Sequence, residues 1–170
     1  MNLIYPNTLG NSAIRSIFIN QLSILYSAKN HLIDNLPTFI DNSNFNTLKL
    51  ALSEQLDDTH TQMISLKTIF KSLKESALKD YCIGMNAIIK EALDQVYDDK
   101  LYQYESDMSI IFYMGVIEHL QVGASKILNL LALRPELRQH AQLVTECLDI
   151  AMDNSKLFLL VAEEYLQVVN

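Results

Sequence analysis

Apolar residues return every three or four positions along most of this chain, the spacing that gathers them on one side of an α-helix. The first stripe is Phe18, Leu22, Leu25, Leu32 and Leu36, and it is broken only at position 29, a lysine. Ser12 is a good N-cap and Pro37 is a helix breaker, so the first helix is predicted over Ser12 to Leu36, after an extended segment 1–11. Beyond a polar connector, DNSN, a second helix is predicted from Asn44 to Lys74. Its face carries Phe45, Leu48, Leu52, Leu56, Met63, Leu66, Ile69, Phe70 and Leu73. Midway that face turns polar, with Gln55, Asp58, Thr59 and Gln62. A shorter helix is predicted over Ala77 to Lys100, crossing to the far end and carrying Cys82, Met85, Ile88, Ile89 and Glu91. The third long helix, Ser106 to Leu133, is apolar nearly all round from Ile110 to Ile117 and is then interrupted by Glu118 and Gln121. The last helix is predicted to start near Pro135, with Leu137, Ala141, Val144, Leu148, Ala151, Phe158 and Tyr165 as its stripe.

Composition narrows the picture. The 170 residues suit one domain, and 49% apolar against 19% charged residues gives ample material for a core. Four Gly and three Pro are too few for the turns of a sandwich or barrel, so the expected class is all-α. A net charge of −7 without a dense Lys/Arg stripe argues against nucleic-acid binding. No apolar run approaches the ~20 residues of a membrane span, and the N-terminus lacks signal-peptide form. Cys82 and Cys147 have no metal-ligand spacing and read as buried thiols in a reducing compartment. The expected location is cytoplasmic.

Chemistry enters at one level. Lys29, the stretch 55–62 and the pair 118–121 all lie near mid-helix, and in an antiparallel bundle such positions meet. Four long helices with a crossover helix between the second and third match the ferritin-like bundle, in which carboxylates at this level hold two metal ions. The segments LYSAKNHL, QLDDTHTQ, CIGMNAIIKEA and DMSIIFYMGVIEHLQ, in that order, make the chain resemble the YciE/YciF family of bacterial ferritin-like proteins, over roughly Ile17 to Leu160. The resemblance implies a ferritin-like four-helix bundle and an association with stress responses.

It also exposes departures from the family pattern. The family's first-helix Ala-Glu pair is here Ala28-Lys29, and its His-Leu-x-Glu-Thr is Gln55-Leu56-Asp57-Asp58-Thr59. Its Glu-His-x-Glu is Glu118-His119-Leu120-Gln121, and the acids of its fourth helix fall on Ile150 and Ala151. Glu91 and Glu118 keep the family's residue type. Asp58 and Glu118 against Lys29 leave a local charge of about −1, where a di-metal cage carries about −4. The positions Lys29, Gln55, Asp58, Glu91, Glu118, Gln121 and Ala151 are therefore read as a vestigial site, with no catalytic residue, no metal ligand and no cofactor. Lys29 is expected to replace the ions by pairing with Asp58 or Glu118; the bland alternative is that it snorkels to the surface.

Glu118 with His119 is a weak candidate for a single ion, because neighbouring helix residues point about 100° apart. His31, His60 and His140 are expected at the surface. Gly115 and Gly123 each cost about 1 kcal/mol of helix propensity, which predicts close approach of a neighbouring helix. With the apolar run beside them, they suggest a homodimer. The expected function is a non-enzymatic, metal-free, stress-associated protein that packs, binds a protein partner or takes a small ligand. The alternative is a di-iron oxidase, peroxidase or iron-binding protein with two iron ions and an atypical ligand set. Nucleophile–base motifs and phosphate loops are missing from the sequence, which disfavours a hydrolase or transferase.

Overall fold

The computed structural model describes residues 9–77, 82–98 and 100–168; most of the expected extended segment 1–11, and the start of the predicted crossover, fall outside the described residues. The helices are α1 (Asn11–Asn42), α2 (Asn46–Leu73), α3 (Ile83–Val96), α4 (Gln103–Ala132) and, after a 3-10 turn at Arg138–His140, α5 (Ala141–Val168). No strand occurs among the described residues. None of these helices is long and apolar enough to cross a membrane.

α1 packs on α2, α2 on α5, α5 on α4 and α4 on α1, closing a four-helix ring, while the shorter α3 lies over the seam between α1 and α4. This is the expected ferritin-like bundle with its crossover helix. Asp107 of α4 fixes one corner, where its buried carboxylate accepts the Asn44 backbone N–H at 2.8 Å, ahead of α2. At the other end α2 closes on Lys74, held left-handed at φ 57°. Glu75 N–H donates to the Phe70 carbonyl at 3.0 Å, and the Arg15 guanidinium donates to the Leu73 carbonyl and the Glu75 carboxylate, both at 2.9 Å.

Predicted boundaries are corrected: α3 already ends at Val96 instead of running to Lys100. α1 runs on through Pro37 to Asn42 rather than ending at Leu36. Proline leaves the Ile33 carbonyl without its helical donor, but continuing the helix buries Phe39 completely, and a buried aromatic contributes about 2 kcal/mol or more. α5 starts six residues beyond Pro135, because the chain first makes a turn that buries Leu137 and His140. His140 is thus not at the surface: it lies stacked on Phe18, with ring centroids 6.2 Å apart, and burial lowers its pKa. Of the other two histidines expected at the surface, His31 is half-buried and His60 is exposed, while Cys82 is half-buried and Cys147 fully buried.

The core is not continuous. One apolar cluster joins the C-terminal half of α1, the N-terminal halves of α2 and α4, the late part of α5 and the buried stripe of α3. A second joins the opposite halves, from Ile14 and Phe18 to Leu128 and Val144. A polar layer separates the two.

A candidate site at the polar waist of the bundle

Each of the four long helices contributes to that layer. α1 supplies Lys29; α2 supplies Gln55, Thr59 and Gln62, spaced by four and three; α4 supplies Glu118 and Gln121; α5 supplies Ala151 and Asn154. All are buried, and Lys29 is only 1% exposed although it carries the most polar head of the group. The lysine does not snorkel. Its aliphatic stem continues the apolar stripe of α1 and delivers the ammonium to the middle of the bundle.

The expected direct ion pair does not form. Lys29 Nζ donates to Gln62 Oε1 at 2.5 Å and to Gln121 Oε1. The Gln121 amide then donates through Nε2 to Glu118 Oε1 at 2.9 Å, and Gln55 Nε2 donates to the same oxygen at 2.5 Å. Gln62 Nε2 continues to the Cys147 carbonyl of α5 at 2.8 Å. Ammonium, amide and carboxylate thus form one chain spanning all four helices. The physical reason is reach: two glutamines flank the ammonium and turn their carbonyl ends to it, which leaves their NH2 ends to satisfy acceptors further on. Among the described residues the ion pairs are Arg15–Glu75 and Lys156–Asp153, both at the surface.

Electrostatics follow from burial. Desolvation pushes the Lys29 pKa down, and the negative charge of Glu118 opposes that shift. Desolvation likewise pushes Glu118 up, opposed first by Lys29 and then by the Gln55 hydrogen bond. Asp58 stands at the edge of the layer, half-buried; burial raises its pKa while a hydrogen bond from Asn154 opposes the rise. Thr59 donates to the Gln55 carbonyl one turn back, at 2.7 Å. Gln55 Oε1 is buried without a partner.

Of the positions singled out from sequence, Lys29, Gln55, Glu118 and Gln121 meet directly, Asp58 borders them and Ala151 closes the α5 side without a polar atom. Glu91 is not among them. It is exposed on α3 and hydrogen-bonds Tyr113. Asn154 was missed, although it lies three residues after Ala151 and so on the same face. His119 points outward, donating from Nδ1 to the Gly115 carbonyl at 2.8 Å.

Two divalent ions call for several anionic or imidazole donors at about 2 Å. This level offers one fully buried carboxylate, whose Oε1 already accepts two amide N–H groups, and an ammonium beside it. Among the described residues, no three His, Cys, Asp or Glu side chains converge. Such a donor set does not fit a metal pair.

Comparison with known proteins agrees with this architecture. The family described as a domain of unknown function, DUF892, matches residues 13–167. Protein YciF of Escherichia coli (strain K12) is 26% identical over 137 residues, 80% of this chain and 82% of that one. The crystal structure of the E. coli stress protein YciF superposes with a TM-score of 0.84 at 22% identity, covering 91% of this chain and 97% of that one. YcfI of Rhodopseudomonas palustris gives 0.79 at 19% identity, with the same coverage.

Proposed function

Because the chain belongs to the DUF892 family, as the match over residues 13–167 establishes, we propose that it is a stress-associated, non-enzymatic and cytoplasmic member whose waist is held by an organic cation in place of metal ions. The relative named as a stress protein supports the first part. One observation carries the second: the Lys29 ammonium is buried at the level where the four helices meet, with its hydrogen bonds directed to two amide oxygens. A divalent cation beside it would meet repulsion in a low-dielectric interior. Incubating the purified protein aerobically with Fe(II), removing unbound ions and measuring metal content tests the reading. The expected result is well below one ion per chain. About two per chain would overturn it in favour of a di-iron oxidase or iron-binding protein.

The reading includes a homodimer formed through the outer face of α4 and α5. Phe112 is 62% exposed and Leu159 57% exposed there, on either side of a groove of about 540 Å³ that Gly115 also lines. The close approach expected at Gly115 and Gly123 is not found within the chain: a Cβ at either would meet no atom within 4 Å. A contact between chains gives Gly115 a role that contacts within the chain do not supply.

A further inference from the structure

A cavity of about 340 Å³ lies where the N-terminal half of α3 bridges α1 and α4, on the opposite side of α4 from most of the groove just described. Leu25 and Ala28 of α1, Cys82, Met85 and Ile88 at α3, and Gln121 and Ala124 of α4 line it, and it is half open to solvent. Its origin is steric. Met85, Ile89 and Ala92, spaced by four and three, pin α3 onto the bundle, but the surfaces beneath the first turn present the two small side chains Ala28 and Ala124. The volume they leave stays open at Gly84, which is exposed and where a Cβ would meet open space.

The chemistry of the floor is decided by the waist. Gln121 is the one amide in the lining, and both of its ends are engaged, the carbonyl by Lys29 and the NH2 by Glu118. The cavity therefore meets only its aliphatic flank. A charged or strongly polar guest entering here would lose hydration with nothing in return. An apolar space of about 150 Å³ accommodates a molecule the size of benzene, so this half-open pocket has room for roughly a dozen carbon atoms. Binding pockets begin at about 300 Å³ and are mostly apolar.

We infer that this cavity is a binding site for an uncharged alkyl or aromatic molecule of about a dozen carbons, seated between α1, α3 and α4 against the flank of Gln121. The inference goes beyond the metal-free reading and does not rest on it, since a neutral hydrocarbon guest is held by apolar contact whether or not the waist takes up ions. Decan-1-ol is a suitable probe and methionine methyl groups are the reporters, because Met85 lines this cavity whereas Met108 lines the groove between α4 and α5. In protein labelled with ¹³C at the methionine methyls, titration is expected to shift the Met85 signal saturably while Met108 stays in place. Ala124→Leu fills the space and should weaken the response at least ten-fold with helix content retained; Ile88→Phe does the same from the α3 side should the first variant fail to fold. No saturable shift at Met85, a response led by Met108, or equal binding by a folded filled variant overturns the assignment. Iron content is measured separately, so failure here leaves the reading of the waist standing.

Discussion

Lys29 and Glu118 carry the two opposite charges at the centre of the bundle, yet a neutral side chain stands between them: Gln121 accepts from one and donates to the other. The charges are compensated without contact. A direct buried pair needs additional hydrogen bonds to regain its desolvation cost, and here the intervening amide gives each ion a hydrogen-bond partner of the right polarity.

Lys29→Met should strip the donor from Gln62 and Gln121 and leave Glu118 as an uncompensated buried acid. The expected loss is about 3–5 kcal/mol, the usual cost of breaking a buried charge pair. Urea unfolding followed by circular dichroism measures it. In the double variant with Glu118→Gln, part of that loss should return, and a purely additive cycle would mean that the two groups are not coupled.

Gln121→Met tests the relay itself. It removes two hydrogen bonds to charged groups, each worth about 1.5–3 kcal/mol, so the expected cost is about 3 kcal/mol or more. Gln62→Met removes one such bond and one to a neutral carbonyl, and should cost less. Equal losses would show that Gln121 has no special place between the ions.

Stability should depend on pH through Lys29 in a definite direction. Its folded-state pKa lies below the ordinary lysine value, so the unfolded chain binds more protons between the two. Stability then rises with pH across that window, up to about 10.5. Glu118, with its pKa raised, has the opposite slope, and its contribution falls as pH climbs from the ordinary carboxylate range through its raised value. The stability of the native protein relative to Lys29→Met should therefore grow toward pH 10. A difference independent of pH would place the ammonium in water.

Lys74 occupies a left-handed position that favours glycine. Lys74→Gly should stabilise the protein by about 1 kcal/mol, read as a higher urea midpoint at unchanged slope.

Self-association is tested by sedimentation. The native protein is expected to sediment as a dimer, and Phe112→Glu or Leu159→Glu, which place charge on an exposed apolar groove, should yield monomers of unchanged helix content. A native monomer at tens of micromolar would remove the dimer from the reading.

Much of this was legible before any coordinates. The lysine breaking the stripe of α1 was placed on the core-facing side by its neighbours Leu25 and Leu32, although the stripe alone left open whether its long stem snorkels to the surface. The polar steps on α2 and α4 fell at the same height for the same reason. What periodicity does not carry is the identity of a partner: it brings Lys29 to the level of Asp58 and Glu118, but side-chain reach and the turn of two amide groups decide that glutamines bind the ammonium. Pro37 misled because local propensity was set against the burial of Phe39, a tertiary contact without local trace. The glycines of α4 say less, since a missing side chain does not tell whether the neighbour it makes room for lies within the chain or outside it.

The division of the core into two apolar halves has a consequence for uniqueness. Oily surfaces alone tolerate sliding, and helices this long have many nearly equivalent ways to lie together. A shift of any one by a single turn, about 5.4 Å, would drag its polar groups into hydrocarbon and leave the others without mates. The layer at mid-height thus works as an alignment pin, selecting one vertical setting of four helices from several that greasy contact alone would permit.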